Sequence, residues 1–222
     1  MKKRKAGIGI FVIVLIITAV RVKSMDSHRI SGRILAENIA GPGMLRLVEQ
    51  SMQSRARKTS VTEIAVKERK HPQAALTFDD GPDIRYTPLL LDGLKERNVR
   101  VSFFLLGEKV EQYPELVERM QKEGHLVGNH TYHHVQLNKL NETKAREEIL
   151  KTNNLIYETT GVYPLYLRPP FGAWKKNLEL CVEMLPVFWT IDTLDWKVQN
   201  TEKIVRTVQE QIEDGAIILM HG

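Results

Sequence analysis

A parallel α/β fold that closes into a barrel is what this sequence predicts, on three observations. From Ala74 onward, short apolar runs alternate with longer stretches of helical period, the pattern of β-strands joined by crossover helices. The unusual polar residues Asp79, Asp80, His130, Arg168, Asp192, Asp195 and His221 fall at or just after the C-terminal ends of successive strand segments. A barrel gathers those ends on one face, so distant residues converge, whereas an open sheet spreads them along its edge. Finally, 222 residues with 42% apolar content exclude disorder and collagen-like repeats and suit one barrel-sized domain, or one substantial domain with a small addition.

Taken in order, Ala74 to Phe78 is the first strand, and Pro88 to Asn98 is a helix with Leu89, Leu90, Leu91 and Leu94 for its core face. Val101 to Leu106 is the next strand, and Pro114 to Glu123 a helix that Gly124 ends. Leu126 to Gly128 is a short strand. A long helix follows, opened by Asn141 with Glu142 just inside it and ended by Gly161, the expected chemistry of helix start and stop. Tyr166 to Arg168 is a strand, Lys175 to Met184 a helix and Val187 to Thr190 a strand. Asn200 to Asp214 is the last helix, terminated by Gly215 before the strand Ala216 to Met220.

The N-terminal part has a different character. Ala6 to Val20 carries no charge and follows the basic run Lys2 to Lys5, the form of a signal peptide core or a short signal anchor. Fifteen residues is short for a span, where about 20 are expected, yet no clean cleavage site precedes Arg21, so an uncleaved anchor with its N-terminus inside is the expectation for residues 1–23. The alternatives are a secreted protein, if the segment is cleaved, and a buried core helix. Residues 24–70, rich in Arg, Ser and Gln and broken at Gly41-Pro42-Gly43, read as a juxtamembrane stem. The excess of positive charge resides in these two segments, because residues 71–222 hold 17 bases against 22 acids and are net negative. A catalytic part of that sign lacks the footprint that phosphate-backbone binding requires, which excludes nucleic acid as a partner. The single cysteine, Cys181, has no partner for an intramolecular disulfide and is expected as a small buried side chain.

Two segments carry most of the chemistry. In Thr77-Phe-Asp-Asp-Gly-Pro82, the adjacent carboxylates Asp79 and Asp80 repel unless they share a cation or a proton, which points to a metal site or an acid/base site. A solvated turn is the alternative for that hexamer. In Gly128-Asn-His-Thr-Tyr-His-His134, the imidazoles of His130 and His134 stand four apart, and on a helical turn both point the same way. With one carboxylate they make a facial set for zinc, or for Co2+ or another divalent ion. His133 does not fit that spacing, and a surface cluster of histidines is the competing explanation. Arg168-Pro-Pro-Phe-Gly172, Asp192-Thr-Leu-Asp-Trp196 and Leu219-Met-His221 are weak singly and gain weight from their order.

Together these five segments, from Thr77 to His221, resemble the polysaccharide deacetylases, carbohydrate esterase family four. The resemblance implies a distorted (β/α) barrel over residues 71–222 and hydrolysis of N-acetyl or O-acetyl groups on a glycan. It implies that Asp80, His130 and His134 hold the metal, that Asp79 is the general base held by Arg168, and that Asp195 orients His221 as general acid. The backbone N–H of Phe171 would stabilise the oxyanion, Trp196 would line the groove, and Leu219 would help form the acetyl-methyl pocket. Family domains continue beyond the Leu-x-His segment through a further helix, so the catalytic domain is expected to be either truncated or an open barrel. With the export segment, the expected substrate is a cell-surface polysaccharide, peptidoglycan amino sugars first, with chitin oligomers and O-acetylated xylan as alternatives. Two other readings compete: a metallophosphoesterase, on Gly128-Asn-His130, and a catalytically impaired, membrane-tethered glycan-binding module.

Overall fold

The computed structural model describes residues 71–174 and 184–222. The anchor and stem expected over residues 1–70, and nearly all of the helix expected from Lys175 with Cys181 in it, lie outside the described residues.

Seven strands form one sheet in the order β5-β4-β3-β2-β1-β7-β6, and every neighbouring pair is parallel. They are β1 (Ala74–Gly81), β2 (Ser102–Leu105), β3 (Leu126–Asn129), β4 (Tyr166–Leu167), β5 (Leu185–Pro186), β6 (Ile191–Asp192) and β7 (Ala216–His221). The helices are α1 (Thr87–Glu96), α2 (Gly107–Gln112), α3 (Pro114–Lys122), α4 (Glu142–Thr160), α5 (Asp195–Val198) and α6 (Thr201–Gln211).

That strand order is the cyclic order of a barrel opened between β5 and β6. A flat sheet of this size would be about 29 Å wide at a strand spacing of about 4.8 Å. Its two edge strands are nevertheless joined by Val187–Thr190 alone, and a link of that length reaches at most about 18 Å. The sheet therefore has to curl until its edges approach, and the expected distorted barrel is realised without a β5–β6 pairing among the described residues.

Alternation along the strands separates an outside from an inside. Leu76 and Phe78, Phe103 and Leu105, and Ala216, Ile218 and Met220 join one apolar cluster with Leu90, Leu91 and Leu94 of α1, Val117 and Met120 of α3, and Ile204, Val205 and Val208 of α6. The intervening residues Thr77 and Asp79, Phe104, and Leu219 and His221 face the other way. Gly128, the register partner of Phe104, leaves room for that ring, because a Cβ there would stand 2.7 Å from it. A smaller apolar cluster of Leu137, Ala145, Ile149, Leu167 and Met184 seats α4.

Local signals hold where the chemistry is short-range. Asn141 caps α4 by accepting the Lys144 N–H at 2.9 Å, Gly161 ends it in the left-handed region, and Asn200 caps α6 in the same way. Three expectations need correction, and one helix was not expected. Leu89 is 38% exposed rather than part of the core face, because only one stripe of α1 meets the sheet. The segment Gly107–Gln112 is a helix that its single buried apolar side chain, Val110, does not announce. Val187–Thr190 is not a strand: it bridges the two sheet edges, with Val187 N–H on the Leu167 carbonyl at 2.8 Å and Thr190 N–H on the Ile217 carbonyl at 2.9 Å. Residues 130–136 are a loop and not a helical turn.

Candidate functional site

The carboxylates come from the end of β1. Neighbouring strand residues point to opposite faces, so adjacent aspartates would normally diverge. Here the register slips between Asp79, opposite Phe104, and Gly81, opposite Leu105, leaving Asp80 as a bulge residue at φ 65°. A bulge next to an active site re-aims a side chain, and this one turns the Asp80 carboxylate toward the histidines. Lys109 of α2 donates to the Asp80 carbonyl at 2.6 Å, holding the bent backbone.

The histidines arrive by a loop whose turns at Thr131 (φ 65°) and His134 (φ 56°) are left-handed. That path brings the two rings to a centroid separation of 5.0 Å, so the spacing of four works without a helix. His130 Nδ1 lies 2.6 Å from the Arg168 carbonyl, which can only accept. The proton is therefore on Nδ1, and the Nε2 lone pair is free to bind. Burial pushes the His130 pKa down to about 3, against the opposing pull of that backbone bond, so the ring is neutral.

Asp80 Oδ1 stands 3.4 Å from His130 Nε2 and 3.4 Å from His134 Nε2, and it is buried without a hydrogen-bond partner among the described residues. The three ligand atoms lie within 4.8 Å of one another. Tetrahedral ligands at about 2.1 Å from a zinc ion stand about 3.4 Å apart. One unpartnered carboxylate oxygen and two imidazole nitrogens thus fit a divalent cation in both chemistry and spacing.

Asp79 is the second carboxylate, and its environment differs. Arg168, fully buried at the end of β4, donates Nη1 to Asp79 Oδ1 at 2.7 Å and to Thr77 Oγ1 at 2.7 Å. Its other nitrogens reach the Val187 and Phe188 carbonyls at 3.3 and 3.5 Å, and Phe104 lies under the guanidinium. Asp79 Oδ2 remains free, 3.7 Å from His130 Nε2. Burial outweighs the Arg168 charge and raises the Asp79 pKa from 3.8 to about 7, the range in which a carboxylate serves as a base at neutral pH.

Across the site, His221 is the register partner of Asp79 on β7. Asp195 at the start of α5 takes the His221 N–H at 2.9 Å and faces its Nδ1 at 2.8 Å, which leaves Nε2 available. Burial pulls this imidazole down, but the Asp195 hydrogen bond and the charges of Asp195, Asp80 and Asp79 together raise its pKa above 6.5. Phe171 sits at φ 60°, with its ring 4.5 Å from that of His134. Trp196 is 58% exposed on α5, while Leu219 is buried on β7, opposite Thr77 and Asp192.

The structure thus gathers Asp79, Asp80, His130, His134, Arg168, Asp195 and His221 into one cluster, with Phe171 against it. Asp192 has a local task, accepting the Leu194 N–H at 2.9 Å. His133 turns away from the cluster to pair with Glu148 at 2.7 Å. Two contributors escaped the sequence reading. Thr77 bridges Arg168 and the Ile218 carbonyl at 2.7 Å, which strand alternation two residues before Asp79 could have revealed. Lys109 carries no sequence signal, since a helical lysine is ordinarily a solvated one.

Comparison with known proteins agrees with this geometry. The family model described as polysaccharide deacetylase matches residues 66–187, a span that includes Asp79, Asp80, His130, His134, Arg168 and Phe171. The peptidoglycan-N-acetylglucosamine deacetylase of Bacillus cereus is 43% identical over 153 residues, covering 68% of this chain and 56% of that protein. The chain therefore spans little more than half the length of that relative. A chitooligosaccharide deacetylase of Rhizobium leguminosarum is 37% identical over 149 residues, covering 66% of this chain and 69% of the other. Among solved structures, peptidoglycan deacetylase PdaC of Bacillus subtilis superimposes with a TM-score of 0.65 at 40% identity, covering 68% of this chain and 74% of that one.

Proposed function

We propose, from the premise that this chain belongs to the polysaccharide deacetylase family, that it is a metal-dependent hydrolase that removes N-acetyl groups from peptidoglycan amino sugars. The observation that carries the proposal is the division of labour between adjacent carboxylates. Asp80 faces two imidazoles with an unpartnered oxygen, and Asp79 is held on one oxygen by Arg168 with its pKa near neutrality. Membership of this family removes the metallophosphoesterase reading.

Asp80, His130 and His134 would hold a divalent ion, zinc being the best match to two imidazoles and one carboxylate, and the ion would acidify a water and polarise the acetyl carbonyl. Asp79 Oδ2 takes the proton of the attacking water, while Arg168 holds Oδ1 and keeps burial from raising the pKa further. The backbone N–H of Phe171 stabilises negative charge on the acyl oxygen, where a fixed donor gives most benefit. His221, oriented by Asp195, donates a proton to the departing amine through Nε2. Trp196 lines the glycan groove and Leu219 contributes to the pocket for the acetyl methyl.

The substrate assignment draws on the Bacillus cereus and Bacillus subtilis relatives, both named for peptidoglycan. It also draws on the export segment at Ala6 to Val20, which as an anchor would hold the catalytic part outside the cell membrane and if cleaved would release it. Chitin oligosaccharide is the second reading, favoured by the Rhizobium relative. Among the described residues no helix is long and apolar enough to cross a membrane, so residues 6–20 alone carry the membrane assignment.

The test is acetate release from peptidoglycan, chitin oligomers and acetylated xylan. Release from peptidoglycan, lost in Asp79→Asn, is the expected result. Release from chitin oligomers alone would overturn the substrate, and release from none would turn the reading toward a binding module.

A further inference from the structure

We propose that Glu148, which lies outside every motif in the sequence, is a positioning residue that sets the geometry of the metal-ligating loop by gathering three of its hydrogen-bond donors on one carboxylate. The inference rests on the reading of Asp80, His130 and His134 as a metal centre. From α4, Glu148 Oε2 accepts the Tyr132 N–H at 3.0 Å and the His133 N–H at 2.8 Å, and Oε1 takes His133 Nδ1 at 2.7 Å. These donors lie on the two residues immediately before His134.

The loop needs such a hold. Thr131 and His134 are both non-glycine residues in the left-handed region, a strained conformation that persists only where the surroundings enforce it. On its other side the loop is gripped by the first turn of α2, where Gly107 and Glu108 donate to the Thr131 and Tyr132 carbonyls at 3.0 and 3.3 Å. Carbonyls held by one helix and N–H groups held by a carboxylate of another leave the segment a single path. The two ligands depend on this grip unequally. His130 is fixed independently, by its N–H on the Leu105 carbonyl at 2.9 Å and its ring on the Arg168 carbonyl at 2.6 Å. Among the described residues the His134 ring has no backbone hydrogen-bond partner of that kind; it meets Asp80, the His130 ring and the face of Phe171, so its placement follows the backbone that Glu148 holds.

Both backbone N–H groups share one carboxylate oxygen, and the His133 ring meets the other. Glutamine could keep this arrangement, its oxygen on the two N–H groups and its NH2 donating to His133 Nδ1 in the other tautomer, whereas alanine leaves both backbone donors without their acceptor.

The experiment is titration of the metal-free full-length chain with Zn2+, and separately with Co2+, whose visible absorption reports ligand number and geometry. Glu148→Ala should raise the zinc dissociation constant by roughly 10–100-fold, the usual effect of losing a group that orients a metal ligand, and should alter the cobalt spectrum as His134 loosens. His133→Ala, which removes one of the three bonds and keeps both backbone bonds, should shift the constant by less than about fivefold. The melting temperature of the metal-free proteins, measured alongside, separates loss of stability from loss of affinity. A folded Glu148→Ala protein that binds zinc within about twofold of wild type, with an unchanged cobalt spectrum, overturns the proposal. Should Glu148→Ala not fold, Glu148→Asp, one methylene short of the loop, is judged by the same two limits. A wild-type protein that takes up neither ion refutes the metal centre itself, and the role of Glu148 with it.

Discussion

Replacing Asp79 by asparagine should change the pH dependence of stability in the metal-free protein, in a direction opposite to that of most carboxylates. In the folded chain burial raises the Asp79 pKa from 3.8 to about 7, the Arg168 charge opposing it. Below 3.8 the carboxyl holds its proton in both states. Between 3.8 and 7 the unfolded chain releases the proton and the folded chain keeps it, so stability is lost progressively as pH rises through that window. The whole difference amounts to about 4 kcal/mol, at 1.36 kcal/mol for each tenfold change in proton affinity. Between pH 5 and 8, away from general acid unfolding, about 2.5 kcal/mol of it remains. Other carboxylates titrate too, so the quantity to measure is the stability of wild type minus that of Asp79→Asn, from urea unfolding in the presence of a chelator. Asparagine does not titrate, and the lost Arg168 contact is a constant offset. The difference should fall by about 2.5 kcal/mol from pH 5 to pH 8, which is about 1 M in midpoint for a slope near 2 kcal/mol/M. A difference that stays flat within about 0.5 kcal/mol would mean that Arg168 already holds Asp79 ionised in the folded state. Burial would then not be what poises this group as a base at neutral pH.

Three further outcomes are expected. Asp80→Ala or His130→Ala should lose both bound metal and hydrolysis, whereas Asp79→Asn should keep the metal and lose turnover by roughly 10²–10⁴-fold, the contribution of a general base; metal analysis of the purified variants decides whether Asp79 is instead a ligand. Gly107→Ala would place a Cβ 2.4 Å from Thr152 Oγ1 and 2.5 Å from the Tyr132 ring, and should cost about 1–3 kcal/mol in urea unfolding. Cells lacking the protein should carry fewer free amino groups on their wall sugars and be cleaved more readily by lysozyme, because a site built to bind the acetamide leaves polar groups unpaired when it is gone; unchanged amine content in the deletion strain would count against the wall as substrate.

Much of this molecule is legible in its sequence because much of it is governed by local rules. Helix caps at Asn141, Gly161 and Asn200 act within four residues, and apolar runs mark strands wherever both faces of the sheet are covered. The alternation of strand and helix specifies a parallel sheet, and the polar residues at strand ends specify a shared face. The five segments from Thr77 to His221 carry the resemblance to the family and, through it, the expectation of a metal set and a base.

What the tertiary structure decided are the features that arise between distant segments. Two adjacent aspartates acquire different tasks because a one-residue bulge against β2 turns Asp80 toward the histidines, while Arg168, 89 positions away, holds Asp79. His130 and His134 converge through a strained loop and not a helical turn, since α2 and Glu148 on α4 enforce its path. Val187–Thr190 looks like a strand by composition and is instead the link that forces the sheet to curl. Sequence patterning determines which residues are inward or outward and which chemistry they can offer; burial, register and the partners supplied by remote elements determine the charge state and aim of each group, because these depend on what surrounds a side chain and not on its neighbours along the chain.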